Sequence, residues 1–176
     1  MSSADGYKRK VSCGFVRGGE WKWEGVEWED SKAWGVGTYP PPPPLLPKAG
    51  VSSPSDLRNF VSTQPGSVIV VDARNPDFTV EPGDSKSSSS APISGYGGDG
   101  YRPNSVNLVF DRESNSMDLG LLVEKGAGMD TPIITHCGGG GRGQKSKEFL
   151  ERQGYTNVVN GGGPEDSECW AEFGDI

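Results

Sequence analysis

Histidine is almost absent from this chain and cysteine is scarce. With one histidine (His136), three widely spaced cysteines (Cys13, Cys137, Cys169) and no Cys-x-x-Cys pair, the sequence lacks the ligands of a zinc site. An odd cysteine count likewise makes no disulfide framework. No apolar run approaches the roughly 18 residues that a membrane span needs, and Met1 to Lys10 lack the apolar stretch of a secretory signal. A basic excess is missing too. The formal charge of -7 and a pI near 4.8 set nucleic acid aside as a partner, because phosphate binding needs a basic face. Neither a Walker sequence nor a spaced dinucleotide fingerprint occurs. The expectation is an intracellular protein, cytoplasmic or organellar after presequence removal, with no metal, no organic cofactor, and neither nucleic acid nor membrane as partner.

Glycine and proline are abundant instead, at 27 and 14 of 176 residues, while hydrophobic residues make up only 32%. A compact core therefore accounts for part of the chain and not all of it. Residues 1–50 form a Trp/Pro-rich N-terminal extension: Trp21, Trp23, Trp28 and Trp34 stand among acidic residues, and Pro40 to Pro44 impose a polyproline II rod. Trp21 and Trp23 alternate as in a short strand, with Gly18-Gly19 and Gly25 as turn signals. The tryptophans are expected to cover one face of the same domain.

From residue 51 to 176 the pattern is that of an α/β domain. Ser53-Pro54 predicts a helix start, followed by Leu57, Phe60 and Val61 at helical spacing. Val68 to Val71 is a β-branched run of the kind buried on both faces of a parallel sheet, ending at Asp72. Ser105 to Phe110, Ile133 to His136 and Asn157 to Val159 read as further strands. Helices are predicted around Leu119 to Val123 and from Gly143 to Gln153, the latter closed by Gly154. Alternating strands and helices imply right-handed βαβ units. Between Thr79 and Gly100 the pattern disappears, and this stretch is expected to be a flexible surface insertion with nothing to bury.

The chemistry gathers at Cys137-Gly138-Gly139-Gly140-Gly141-Arg142-Gly143, between a strand and a helix. Glycines let successive N–H groups turn inward as an anion nest, and the helix N-terminus adds partial positive charge. Such surroundings lower a thiol pKa and make Cys137 the candidate nucleophile. Arg142 is positioned to meet an incoming oxyanion or to brace the loop through carbonyls or a carboxylate. His136 precedes the nucleophile, so on a strand it points to the opposite face and reads as a hydrogen-bonded core histidine. Cys13 and Cys169 read as structural thiols.

Four blocks, in this order, resemble the rhodanese (thiosulfate sulfurtransferase) family, over about Ser53 to Trp170. Val68 to Arg74 is similar to its first strand and Asp-x-Arg motif, and Gly100 to Leu108 to its Gly-His-Ile-Pro-Gly-Ala-x-Asn-Ile/Leu segment. Pro132 to Gly143 is similar to the active-site strand and loop, and Leu150 to Gly163 to the following helix end and strand. Departures are present: Tyr101 and Arg102 replace histidine and isoleucine, Gly138 replaces a frequent arginine, and Gly143 replaces serine or threonine.

The resemblance implies a rhodanese-like three-layer α/β fold, with a central parallel sheet flanked by helices. It implies a sulfurtransferase that moves sulfane sulfur from thiosulfate or a similar donor to cyanide, a thiol or a protein acceptor. Cys137 would be the persulfide carrier, Gly138, Gly139, Gly140, Gly141, Arg142 and Gly143 the substrate-binding loop, and Asp72, Arg74 and His136 its structural support. Two other readings remain. One is a rhodanese-like binding or sensing module without turnover. The other is a cysteine-dependent phosphatase or arsenate reductase, whose loop places arginine six positions after cysteine where Arg142 stands five after Cys137.

Overall fold

A computed structural model describes residues 48–64, 68–94 and 104–176 in full, and residues 12–16 and 20–24 as backbone. The chain divides into two units, Met1–Pro44 and Leu45–Ile176. In the first, β1 (Ser12–Val16) pairs antiparallel with β2 (Glu20–Glu24), placing Cys13 opposite Trp23. Trp21 and Trp23 thus stand on a strand, as their alternation predicts. Trp28, Trp34, the turn glycines and the run Pro40 to Pro44 lie outside the described residues, as do Tyr101 and Arg102.

The second unit runs α1 (Pro54–Thr63), β3 (Ile69–Asp72), α2 (Asp84–Ser88), β4 (Ser105–Asn107), α3 (Gly120–Glu124), β5 (Ile133–His136), α4 (Gly141–Arg152), β6 (Val158–Asn160) and α5 (Ser167–Phe173). Its sheet has the order β4-β3-β5-β6, and every neighbouring pair is parallel. β3 and β5 are the inner strands and are buried at every position, which is why they read as unbroken β-branched runs.

Strand alternation sorts the apolar residues onto two faces. Ile69, Val71 and Ile133 join Leu122 of α3 and Leu150 of α4, whereas Val68, Val70 and Ile134 join Leu57 of α1 and Phe173 of α5. Helices therefore cover both sides of the sheet, giving three layers. Among the described residues no helix is long and apolar enough to cross a membrane.

Local signals explain most of the boundaries. Ser53 caps α1 by accepting the Asp56 N–H at 3.2 Å, with Pro54 in the first turn. Gly154 follows α4 at φ +100°, a left-handed turn that glycine adopts without strain. α4 begins two residues earlier than the expected Gly143, because Gly140 at φ +96° already turns the chain into the helix. α5 is an element the sequence pattern does not announce, although Asp166 caps it by accepting the Cys169 N–H at 3.1 Å.

One expectation needs correction. The stretch from Thr79 to Gly100 does have something to bury: it contains α2, and Asp84, Ser87, Ala91, Ile93 and Ser94 are all buried. Its buried groups are mostly small or polar and interact with partners distant in sequence, so no apolar period reveals them.

The packing of α5 depends on a position without a side chain. A Cβ at Gly161 would stand 2.5 Å from Phe173 Cε1 and 2.8 Å from Ile134 Cγ2. Gly161→Ala is expected to cost about 1–3 kcal/mol through overpacking. Urea unfolding would show this as a lower midpoint at an unchanged slope.

Candidate functional site

The site is built where β5 ends. Alternation sends His136 to the α5 side of the sheet, where its ring centroid lies 5.2 Å from that of Trp170 and 5.9 Å from that of Phe173. Cys137, one residue later, falls on the opposite side with the α3 and α4 core. Its Sγ accepts the Gly140 N–H at 3.1 Å, and its own N–H donates to the Gly162 carbonyl at 3.0 Å. Cys137 as a residue is 5% exposed, and it stands beside the N-terminus of the 12-residue α4, whose partial positive charge favours an anion there.

A second glycine turn supports the first. Asn160, fully buried at the end of β6, donates through Nδ2 to the Gly140 carbonyl at 3.0 Å and accepts the Gly162 N–H at 3.0 Å. One side chain thus ties together both turns and fixes the residue whose amide reaches the sulfur. At Gly163, φ is +147° and an added Cβ would collide with the Cys137 carbonyl oxygen, so the two chains approach backbone to backbone. Thr135 Oγ1 donates to the Gly143 carbonyl at 2.8 Å and anchors the start of α4 to the sheet.

Beneath this lies a buried charged group. Arg74 donates from Nε to Asp72 Oδ1 at 2.9 Å and from Nη2 to Oδ2 at 2.6 Å, and all three side chains of Asp72, Arg74 and His136 are without solvent exposure. His136 Nε2 is 3.8 Å from Asp72 Oδ2, and its Nδ1 is 3.1 Å from the Cys137 carbonyl oxygen. Burial alone would raise the Asp72 carboxyl, but the charge of His136 and the bonds and charge of Arg74 outweigh it and hold the group below its ordinary value. The Ala73 N–H donates to the His136 carbonyl at 2.8 Å, so this unit props up the strand end carrying Cys137.

The Arg142 guanidinium is paired with a carboxylate. Its Nη1 donates to Asp84 Oδ2 at 2.7 Å, and its Nη2 pairs with Asp84 Oδ1. Burial works against the guanidinium charge, yet the bonds and charge of Asp84, then the charges of Cys137 and Glu81, raise its pKa above the ordinary value. Asp84 also accepts the Asn75 N–H at 2.7 Å.

Cys137, Gly138, Gly139, Gly141 and Arg142 line one open cleft of about 430 Å³. The other two loop glycines do not line it. Gly140 contributes its amide to the sulfur, and Gly143 faces Asn160, whose Oδ1 stands 2.5 Å from where a Cβ would be. That contact explains why a serine or threonine has no room at Gly143. The cleft is completed by Lys48, Glu81, Asp84, Arg112 and Glu165, none of which the sequence pattern singles out. A smaller cavity of about 320 Å³, bounded by Ile69, Asn104 and Thr131, lies at the opposite ends of the strands.

Cys169 is a different kind of thiol. Burial and the neighbouring Asp166 push its pKa up to about 12, and its Sγ donates to the Ser52 carbonyl at 3.4 Å. It is structural, as the sequence suggests.

The sequence profile of the rhodanese-like domain family matches residues 53–163. Among solved structures, the chain is similar to an uncharacterized protein of Saccharomyces cerevisiae, with 20% identity, a TM-score of 0.40, and coverage of 71% of this chain and 93% of that one. It is also similar to the single-domain sulfurtransferase RDL2 of the same yeast, with 18% identity, a TM-score of 0.40, and coverage of 75% and 95%. No curated protein matches the sequence significantly.

Two stability experiments probe this architecture. Asp84→Ala leaves the buried Arg142 charge without its partner and is expected to cost about 3–5 kcal/mol, measured by denaturant unfolding. Gly143→Ala forces Asn160 aside, and Asn160→Ala orphans buried backbone groups at about 1–3 kcal/mol. In a double-mutant cycle the two costs should fall short of adding by about 1 kcal/mol, because the second substitution removes the closest of the contacts made by the first, leaving only the His136 Cα at 3.1 Å.

Proposed function

The chain belongs to the rhodanese-like domain family, and on that premise we propose that it transfers sulfane sulfur through a persulfide on Cys137. The observation that carries this reading is the Gly140 N–H directed at Cys137 Sγ at 3.1 Å, on the floor of an open cleft and beside the N-terminus of α4. A hydrogen-bond donor and a helix terminus favour negative charge on sulfur. They serve the thiolate before transfer and the terminal sulfur after it.

The reaction has two displacements. The Cys137 thiolate attacks the sulfane sulfur of thiosulfate or a similar donor and forms a new S–S bond. The donor's S–S bond breaks, and sulfite leaves with the electron pair in the thiosulfate case. An acceptor nucleophile then attacks the outer persulfide sulfur and carries it away, as thiocyanate when the acceptor is cyanide. The Cys137 thiolate is returned, and no net oxidation occurs. The chain's own part is to hold the sulfur at the cleft floor and stabilise its charge. Asn160 fixes Gly140, Arg142 with Asp84 fixes the loop wall, and Asp72, Arg74 and His136 support the strand end.

Intact-mass analysis after thiosulfate treatment tests the reading. One added sulfur atom on wild type, lost after cyanide, is the expected result. Cys137→Ser should take up no sulfur and lose turnover by more than about a thousandfold, with its thermal unfolding close to wild type. Undiminished transfer by that variant would overturn the assignment. A wild type that takes up no sulfur from any donor would favour a binding or sensing module.

A further inference from the structure

Three cations and three carboxylates line the cleft, and each cation faces a carboxylate of the same chain. Arg142 is committed to Asp84, Arg112 Nε lies 3.3 Å from Glu81 Oε1, and Lys48 Nζ lies 3.7 Å from Glu165 Oε2. The charges therefore cancel around the sulfur, which is unlike a cleft built to gather a free dianion.

Glu165 is the carboxylate placed over the sulfur's own loop. Its N–H donates to the Gly138 carbonyl at 3.0 Å, which fixes its backbone to that loop. Its Oε1 stands 2.8 Å from where a Cβ of Gly138 would be, and a Cβ on Gly139 would collide with both Glu165 Oε2 and Lys48 Nζ. The absent side chains at Gly138 and Gly139 thus leave room for a carboxylate and an ammonium group to lie across the loop. The Glu165 side chain is 50% exposed, so a ligand entering the cleft meets it directly.

We propose that Glu165 is a specificity-determining residue that disfavours anionic sulfur donors at Cys137 and favours a donor whose sulfane sulfur sits on an ammonium-bearing carrier. The physical basis is charge. An approaching oxyanion meets a half-exposed carboxylate, carried on a backbone bonded to the loop, whose neutralising Lys48 is itself solvated, whereas an ammonium group pairs with that carboxylate. This rests on the persulfide reading above, and its test separates the two.

The test measures the modification rate of Cys137 by methanethiosulfonate reagents carrying a sulfonate, no charge or a trimethylammonium group. In each, the thiolate attacks the thiosulfonate sulfur and methanesulfinate leaves with the electron pair, so no turnover is needed. Peptide mass analysis assigns the modification to Cys137. In Glu165→Gln the anionic reagent should react about fivefold faster and the cationic one about fivefold slower at low salt, with the neutral one unchanged and both shifts shrinking at high salt. Lys48→Gln should shift the charged reagents the opposite way. In parallel, Glu165→Gln should raise kcat/KM for thiosulfate and lower it for cysteamine persulfide. Unchanged reagent rates, or two donors moving in the same direction, would overturn the proposal. Absence of sulfur transfer from either donor in wild type would defeat the persulfide reading and the donor preference with it. The reagent ratio would then still decide whether Glu165 governs charge at the sulfur.

Discussion

Two glycine turns lie backbone against backbone at the ends of β5 and β6, and the position of the sulfur depends on that contact. The Cys137 N–H donates to the Gly162 carbonyl, and Gly163 passes so close to the Cys137 carbonyl that no side chain fits between them. Asn160 then spans both turns and holds the Gly140 carbonyl, so the Gly140 N–H on the other side of that residue is aimed at Sγ. Each part constrains the next. A larger residue at 163 would push the turns apart, and a larger one at 143 would displace the Asn160 side chain. Glycine is required at 163 by proximity and by backbone conformation, and at 143 by proximity alone.

Below and beside this contact, charge is buried in two separate places, and each is compensated. Asp72 answers Arg74 beneath the strand end, and Asp84 answers Arg142 at the loop wall. Buried ion pairs are weak sources of net stability, because desolvation takes back most of what attraction supplies. Their value lies in geometry: a half-satisfied pair is costly, so the strand end and the loop wall each have one low-energy arrangement. That rigidity suits the proposed chemistry, in which one amide placed 3.1 Å from sulfur stabilises its charge.

Much of this was legible in the sequence where the signal is local. The runs at Ile69 to Val71 and Ile133 to His136, the cap at Ser53 and the turn at Gly154 each announce themselves within a few residues. The strand–glycine loop–helix order around Cys137 did the same, and the opposite facing of His136 followed from the period of a strand. What stayed hidden is long-range. Asp84 lies 58 residues from Arg142 in a stretch with no apolar period, and Asn160 lies 20 residues from Gly140. Glu165 and Lys48 are ordinary surface charges until the fold brings them over Gly139. Sequence spacing reveals elements and a nucleophile's setting, whereas the partners that tune a site come from unrelated segments.

The insertion illustrates how such a partner changes the meaning of a residue. An arginine in a glycine loop reads either as an oxyanion ligand or as a brace, and here two of its nitrogens meet Asp84, and Nη1 also reaches the Ala73 carbonyl at 3.4 Å. The segment that supplies Asp84 is tied down at both ends of its path: Asp84 accepts the Asn75 N–H, and the Ser94 N–H reaches Asp72 Oδ2 at 3.4 Å. A wall of the cleft is therefore made from residues that look like a solvent-filled linker. Because the same carboxylate satisfies Arg142 and closes that wall, cationic character was removed from the cleft by the very contact that orders it. Under the proposed donor preference, electrostatic selection then falls to the exposed pair at the mouth, Lys48 and Glu165.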